Sequence, residues 1–179
     1  NLTQLKMLFC STNPLTNLDL NGLTNLEGIY CVNTQISAID LSGLVNLKIL
    51  ACGANFLTAL DLSPSPNLEV LQCGFNQIAT LDVSNLSNLR YFMCKGNALT
   101  SLNLSGLTKI EELFCDENQL TTLDLSDQNL LQTLYCGRNE LTSLYLKNGR
   151  TEGILSFEEN PGLLFVCADE QQIPLVQFN

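Results

Sequence analysis

The sequence predicts a repeat solenoid, not a globular domain with a single closed core. A cysteine recurs every 21 residues, an asparagine follows three positions after almost every one, and apolar residues stand five and two positions before each. A fixed period of this length is typical of stacked coils in which each repeat contacts only its neighbours. The anchor cysteines are Cys10, Cys31, Cys52, Cys73, Cys94, Cys115 and Cys136, and one further step reaches Phe157.

Each repeat begins with the signature of a short strand. In the repeat around Cys115, the apolar residues are Ile110, Leu113 and Cys115, and the last two alternate with polar or outward positions. Alternation of this kind indicates an extended segment with one buried face. We expect the segments to stack in register as a parallel sheet, with neighbouring strands about 4.8 Å apart.

A turn must follow each strand, and its backbone groups would be buried between coils. An inward asparagine side chain both donates and accepts hydrogen bonds, so it is suited to satisfy them. Thr34 is the exception in this column and replaces only part of that bonding, so we expect the second coil to be locally weaker. The predicted ladder is Asn13, Asn55, Asn76, Asn97, Asn118, Asn139 and Asn160.

The return limb of each coil alternates again. Leu60 and Leu62 flank Asp61, and Ser63 follows them. This pattern predicts a second short extended segment facing the first across the core. A serine before a short apolar turn is suited to cap a single turn of 3₁₀ or α helix.

The combined motif, Leu-x-x-Leu-x-Cys-x-x-Asn-x-Leu with Leu-Thr-x-Leu-Asp-Leu-Ser on the return limb, resembles the leucine-rich repeat. The cysteine form is similar to repeats of internalin-like secreted or surface proteins of Bacteroidetes-type bacteria. The resemblance implies a curved solenoid, with the parallel sheet on its concave side and extended segments and single helical turns on its convex side. It also implies an extracellular or bacterial cell-surface location and ligand binding on the concave side.

Residues 1–162 are predicted to form about eight coils, the last one degenerate, and residues 163–179 a C-terminal cap. The spacing degrades after Leu146, and Glu152 stands where leucine is expected. The run Leu163–Cys167 is apolar and out of phase with the cysteine column. The chain starts within a repeat, so we expect it to be a piece of a longer protein, because terminal repeats usually need a polar cap.

Composition argues against several classes of function. The net charge of −10 disfavours nucleic acid and anionic membranes as partners, since both reward Lys and Arg. No apolar run reaches the roughly 18 residues of a membrane span. The chain has no histidine, which removes Ser-His and Cys-His catalysis, and no phosphate-binding glycine loop. We therefore expect a non-enzymatic protein without a cofactor.

Two columns invite a metal-binding interpretation. Stacked thiols offer two near neighbours at most, whereas zinc needs four converging ligands, so we expect free thiols that fill the core and no metal. Cys167 lies outside the ladder and is the thiol expected to be exposed. The carboxylates form a second column, which either binds calcium or faces solvent with local backbone hydrogen bonds; the latter is favoured because calcium needs six or more converging oxygens. These are Asp19, Asp40, Asp61, Asp82 and Asp124.

The outward positions of the predicted sheet carry the candidate site. Aromatic and aliphatic side chains recur there, and contiguous exposed apolar surface usually marks an interaction site. Strand propensity alone also favours aromatic residues, so this is the competing explanation. Glu112 and Arg90 are expected to orient a ligand. The expected anchors are Phe9, Tyr30, Tyr91, Met93, Phe114 and Tyr135.

The favoured function is protein–protein interaction, with a protein or peptide ligand on the concave face. A carbohydrate-binding or adhesion module uses the same rings, stacked on sugar faces. A structural spacer in a larger protein predicts no ligand and tolerance of substitutions on this face. Self-association would also bury the apolar surface.

Overall fold

The computed structural model describes residues 2–172 as a stack of coils whose strands form two parallel sheets. The larger sheet has eight strands in the order β1-β2-β3-β4-β5-β6-β8-β10 and the smaller has three in the order β7-β9-β11. The larger sheet comprises β1 (Met7–Phe9), β2 (Gly28–Tyr30), β3 (Ile49–Ala51), β4 (Val70–Gln72), β5 (Tyr91–Met93), β6 (Glu112–Phe114), β8 (Thr133–Tyr135) and β10 (Ile154–Ser156). The smaller comprises β7 (Thr122–Asp124), β9 (Ser143–Tyr145) and β11 (Phe165–Cys167).

The register of the larger sheet follows the sequence repeat. Leu8 pairs with Ile29 in β1 and β2, and Leu113 pairs with Leu134 in β6 and β8. Because side chains alternate along a strand, the middle residue of each strand points into the core and its two neighbours point out. The predicted parallel solenoid is confirmed.

The core is a set of stacked columns, one residue of each coil above the next. The cysteines from Cys31 to Cys136 have no solvent exposure, and Cys10 in the first described coil is half-buried. Most leucines of the inner coils are equally buried, and each such side chain contributes roughly 2 kcal/mol relative to an exposed one. The hydrophobic effect therefore stabilises the stack coil by coil.

The asparagine column joins consecutive coils through hydrogen bonds. The side-chain amide of Asn118 donates to the carbonyl of Cys115 at 3.1 Å and to that of Cys94, one coil earlier, at 3.1 Å. Its Oδ1 accepts the backbone N–H of Leu99 at 3.1 Å. One side chain thus satisfies three backbone groups that the turn would otherwise leave unpaired.

A left-handed residue precedes the asparagine position in every coil, a feature that the sequence did not predict. The angle φ is 55° at Phe75 and 51° at Arg138, and only Gly96 is a glycine in this column. Most residues avoid this region by about 1–2 kcal/mol. The stacking therefore holds the backbone in the same strained turn whatever side chain occupies the position.

On the outer side, each return limb leads into a pair of hydrogen-bonded turns. The N–H of Leu44 donates to the carbonyl of Leu41 at 3.0 Å, and that of Leu47 donates to Leu44 at 3.1 Å. The predicted single helical turn is thus replaced by two successive β-turns, and no helix occurs within residues 2–172. Among residues 2–172, two of the predicted second extended segments pair in the smaller sheet, as β7 and β9, and its third strand, β11, lies in the stretch predicted as the cap.

The C-terminal end contains buried polar side chains. Glu152 is 3% exposed and accepts hydrogen bonds from Asn148 at 3.0 Å and from Gln172 at 2.7 Å. The run Leu163–Cys167 is in phase with the return limb, because Phe165 pairs with Ser143 in the smaller sheet. The cap predicted for 163–179 remains a proposal, and its residues 173–179 lie outside the described part of the chain.

Candidate functional site

The candidate site is the outward face of the eight-stranded sheet, here called the concave face. It consists of the first and last residue of each strand, because the middle residue is buried in the core. The members other than the expected anchors are short or aliphatic in most strands. Together with those anchors and Glu112, the face contains Met7, Gly28, Ile49, Ala51, Val70, Gln72, Thr133, Ile154 and Ser156.

The aromatic side chains form two separate groups. Phe9 and Tyr30 stack with ring centroids 4.7 Å apart and an interplanar angle of 14°. The second group contains Tyr91, Phe114 and Tyr135, with centroids 5.3 Å apart in each adjacent pair. The aromatic anchors expected from the sequence are thus brought together in two groups, which the shorter side chains of β3 and β4 separate. The remaining anchor, Met93, lies in β5 in register with Phe114.

The ring planes of the stacked pairs face one another. Phe114 and Tyr135 meet at 11°, and both are partly exposed. Phe9 is the most open of the rings, with 70% of its surface exposed. Burial, and secondarily the nearby Glu112 carboxylate, raise the pKa of the Tyr91 phenol above its usual value. The group around Tyr91 therefore presents partly covered rings beside a negative charge.

Glu112 and Arg90, the two charged residues expected at the site, have different surroundings. Glu112 lies between Tyr91 and Thr133 in the register of the sheet, and no ion pair involves it among residues 2–172. Arg90 stands at the sheet edge, where its Nη2 lies 2.8 Å from Oε1 of Glu111. Both line a shallow hollow of about 180 Å³ with Tyr91.

A column of alternating charge is formed by the residues that directly precede the strands of the larger sheet. Lys6 binds Glu27 at 2.8 Å, and Lys48 binds the same carboxylate at 3.4 Å. The two lysines lower the pKa of Glu27, chiefly through the hydrogen bond from Lys6. Sequence reasoning missed this column, although its signal was visible as opposite charges 21 residues apart. The column is Lys6, Glu27, Lys48, Glu69, Arg90 and Glu111.

A second charged network lies in the turns that follow the strands, near the C-terminal end of the larger sheet. Lys95 contacts Asp116 at 2.5 Å and Glu117 at 3.3 Å, and its ammonium lies 5.9 Å from the centroid of Phe75. The hydrogen bond to Asp116 is the main cause that raises the pKa of Lys95. Arg138 continues the network, with contacts at 3.1 Å to Glu117 and to Glu159.

The cysteine column contains free thiols. Burial raises the pKa of Cys31 and of Cys73 to about 12, so both remain protonated at neutral pH. All eight cysteines are unpaired, and Cys167 is partly buried. Within residues 2–172, no three His, Cys, Asp or Glu side chains converge as a metal site would require.

The aspartate column forms local turns. Oδ1 of Asp40 accepts the backbone N–H of Ser42 at 2.9 Å, and Asp61 does the same for Ser63. The pKa of both carboxyls is lowered, first by a side-chain hydrogen bond from the same serine and then by this backbone bond. These contacts are the ones expected if the aspartates face solvent, because each carboxylate accepts a backbone hydrogen bond within its own coil.

The comparison with solved structures fits the stacked coils and the cysteine column. The chain matches YopM from Yersinia enterocolitica with a TM-score of 0.79 and 28% identity. It matches the functional domain of InlJ from Listeria monocytogenes, which includes a cysteine ladder, with a TM-score of 0.62 and 27% identity. The chain has the leucine-rich repeat fold.

Other comparisons show how far the similarity extends. An internalin from Listeria monocytogenes, InlF, matches this leucine-rich repeat chain with a TM-score of 0.75 and 22% identity. The matches cover 94% of this chain and 36% of YopM, 94% and 49% for InlJ, and 93% and 55% for InlF, so it spans about half or less of each. No family model and no curated protein matches it in sequence. No helix in the described residues has the length and hydropathy needed to cross a bilayer.

Proposed function

We propose that this leucine-rich repeat solenoid is a non-enzymatic binding module that recognises a protein or peptide through its concave face. The observation that carries the proposal is the group of Tyr91, Phe114 and Tyr135, which spans β5 to β8 as a continuous, partly exposed aromatic surface. Solenoid repeats commonly use their extended concave surface for binding. Tyrosine and other aromatic anchors dominate many protein interfaces.

The ring geometry supports a protein ligand more than a glycan. A sugar stacks on an open ring face, and pairing covers one face of each ring in Phe9 with Tyr30 and in Phe114 with Tyr135. Ion-paired side chains line both edges of the sheet, as at the rim of many protein interfaces. These contacts favour a partner that covers several strands at once.

The test uses peptides selected from a random phage-displayed library against the whole chain. Tyr91→Ala with Phe114→Ala should abolish binding of these peptides, with the circular dichroism spectrum unchanged. The matched control is Tyr145→Ala with Phe165→Ala, because those rings form a similar pair, 5.5 Å apart, on the smaller sheet. Peptides that bind the concave double variant as well as they bind the original chain would refute the site.

The oligomeric state distinguishes an external partner from a second copy. Light scattering over a concentration series should show a monomer if the concave face is open to a ligand. A dimer that the substitutions at Tyr91 and Phe114 dissociate would assign the face to self-association. A monomer that yields no binding peptides and tolerates concave substitutions would fit the structural spacer.

The resemblance to internalin-like repeats supports an extracellular or cell-surface location, and we include it in the proposal. Secretion would expose the thiols to an oxidising environment, in which free cysteines are uncommon. Complete burial of Cys31 to Cys136 would protect most of them. Surface labelling of the intact source cells would test this location.

A further inference from the structure

At the C-terminal end of the concave face, a hollow of about 250 Å³ lies beside the ring of Tyr135. We call it the Tyr135 hollow; it is lined by Tyr135, Gly137, Ser156, Glu158 and Asp116 together with Lys95, Glu117 and Arg138. It combines an aromatic ring, a carboxylate and open space, and each of these can be traced to particular residues.

The ring of Tyr135 has one covered face and one open face. Phe114 stacks on it from the preceding strand, with an interplanar angle of 11°. On the other side its register partner in β10 is Ser156, whose short side chain leaves the ring uncovered. Gly137 adds no side chain, and a Cβ at that position would lie 2.8 Å from the carbonyl oxygen of Glu158. The hollow is therefore the space in which a further ring would continue the stack.

The charges around the hollow leave one carboxylate without a direct ion pair. Lys95 is engaged by Asp116 and Glu117, and Arg138 by Glu117 and Glu159. Glu158 forms no ion pair in residues 2–172 and instead accepts the hydroxyl of Ser156 at 2.5 Å. That hydrogen bond is the main cause that lowers the pKa of Glu158, and the nearby Arg138 charge adds a smaller effect, so the carboxylate is ionised at neutral pH.

We propose that the Tyr135 hollow receives an arginine side chain of the protein partner, with its guanidinium stacked on the open face of Tyr135 and paired with Glu158. A guanidinium is planar, stacks on aromatic rings and forms two parallel hydrogen bonds with a carboxylate. The net charge of −10 also attracts a cationic partner. This inference rests on the proposed function and adds the chemistry of the ligand.

The direct test titrates the ¹⁵N-labelled chain with the capped tripeptide Ac-Gly-Arg-Gly-NH₂. The control probe replaces arginine with citrulline, which has nearly the same shape and no charge. The arginine probe should shift the amide signals of Gly137, Ser156 and Glu158, and the citrulline probe should not. Glu158→Gln should weaken binding of the arginine probe about fivefold or more. Glu140→Gln is the matched control, since Glu140 is exposed and lies outside the hollow.

The outcomes separate this inference from the proposed function. Equal shifts with both probes, or binding that Glu158→Gln leaves unchanged, would overturn the arginine assignment. A lysine tripeptide that binds more tightly than the arginine tripeptide would also overturn it. If the library peptides still depend on Tyr91 and Phe114, the proposed function stands without the arginine site. If only the tripeptide binds, the hollow is supported and the wider concave interface fails.

Discussion

Oδ1 of Asn55 accepts a hydrogen bond from the hydroxyl of Thr34 at 2.7 Å. The same oxygen accepts the backbone N–H groups of Thr34 at 3.1 Å and of Gln35 at 2.9 Å. The single hydroxyl proton of Thr34 is shared with the carbonyl of Cys31, 3.0 Å away, but Thr34 does not reach the carbonyl of Cys10 as an asparagine amide would. Asn55 thus supports, from the next coil, the turn in which Thr34 stands in place of an asparagine.

Replacing Asn55 with alanine should cost more stability than any other substitution in the asparagine column. The change leaves several buried donors and acceptors unpaired, and we expect a loss of at least about 3 kcal/mol in the free energy of unfolding. Urea denaturation followed by circular dichroism measures it. Asn13→Ala is the control, because Asn13 is exposed and bonds only within its own coil, so its loss should be about 1 kcal/mol or less. Similar losses for the two variants would contradict the prediction.

Replacing Gln128 with leucine should stabilise the chain. Gln128 is 1% exposed, and its Oε1 has no hydrogen-bond partner within residues 2–172. Its Nε2 donates to the carbonyl of Leu104, which also accepts the N–H of Leu107 and so stays paired after the change. Removing the unpaired oxygen should add about 1 kcal/mol. A decrease in the melting temperature would contradict this prediction and would indicate that Oε1 of Gln128 is hydrogen-bonded.

The buried thiols should make the fold sensitive to alkali. The pKa of Cys73 is raised from 9.0 to about 12 in the folded chain, so the folded state holds its proton where the unfolded state has lost it. Stability is therefore full below pH 9 and falls as pH rises toward 12, by about 1.4 kcal/mol per pH unit for each such thiol. Urea denaturation between pH 8 and pH 11 measures this slope.

The variant Cys73→Ala isolates the contribution of one thiol. Its alkaline slope should be smaller than that of the original chain by about one proton, although it is less stable at neutral pH because of the cavity. Tyrosine ionisation is common to both chains and cancels in the comparison. Identical slopes would mean that Cys73 does not remain protonated in the folded state.

Reversing one charge in the alternating column should weaken the fold in a salt-dependent way. Lys48→Glu would place three carboxylates in consecutive register positions, since Glu27 and Glu69 are its neighbours. The urea midpoint should fall at low ionic strength and recover in about 1 M NaCl, where the screening length is short. Lys109→Glu, outside this column, is the control. A decrease that persists at high salt would indicate lost packing instead.

The strands and the core could be predicted because each coil repeats the same apolar positions. The left-handed turn could not, because residues as different as Phe75, Arg138 and Thr12 occupy it. The division of the concave face into two aromatic groups depends on which rings touch, and spacing alone does not give this. The sequence pattern predicts that the run at Phe165 is out of phase with the cysteine column. In the structure this strand continues the return limb, with one residue added to the repeat.

Nearly identical repeats create a hazard during folding, because a coil can dock against the wrong neighbour. The alternating edge column discourages the nearest mistake. If a coil skipped one position, the carboxylate of Glu27 would meet that of Glu69, and Lys48 would meet Arg90. Like charges placed directly opposite destabilise a parallel pairing, so the slipped state is disfavoured while it is still forming. The alternating charges before the strands thus favour docking of each coil on its neighbour in sequence, and they help a repetitive chain to fold in a single order.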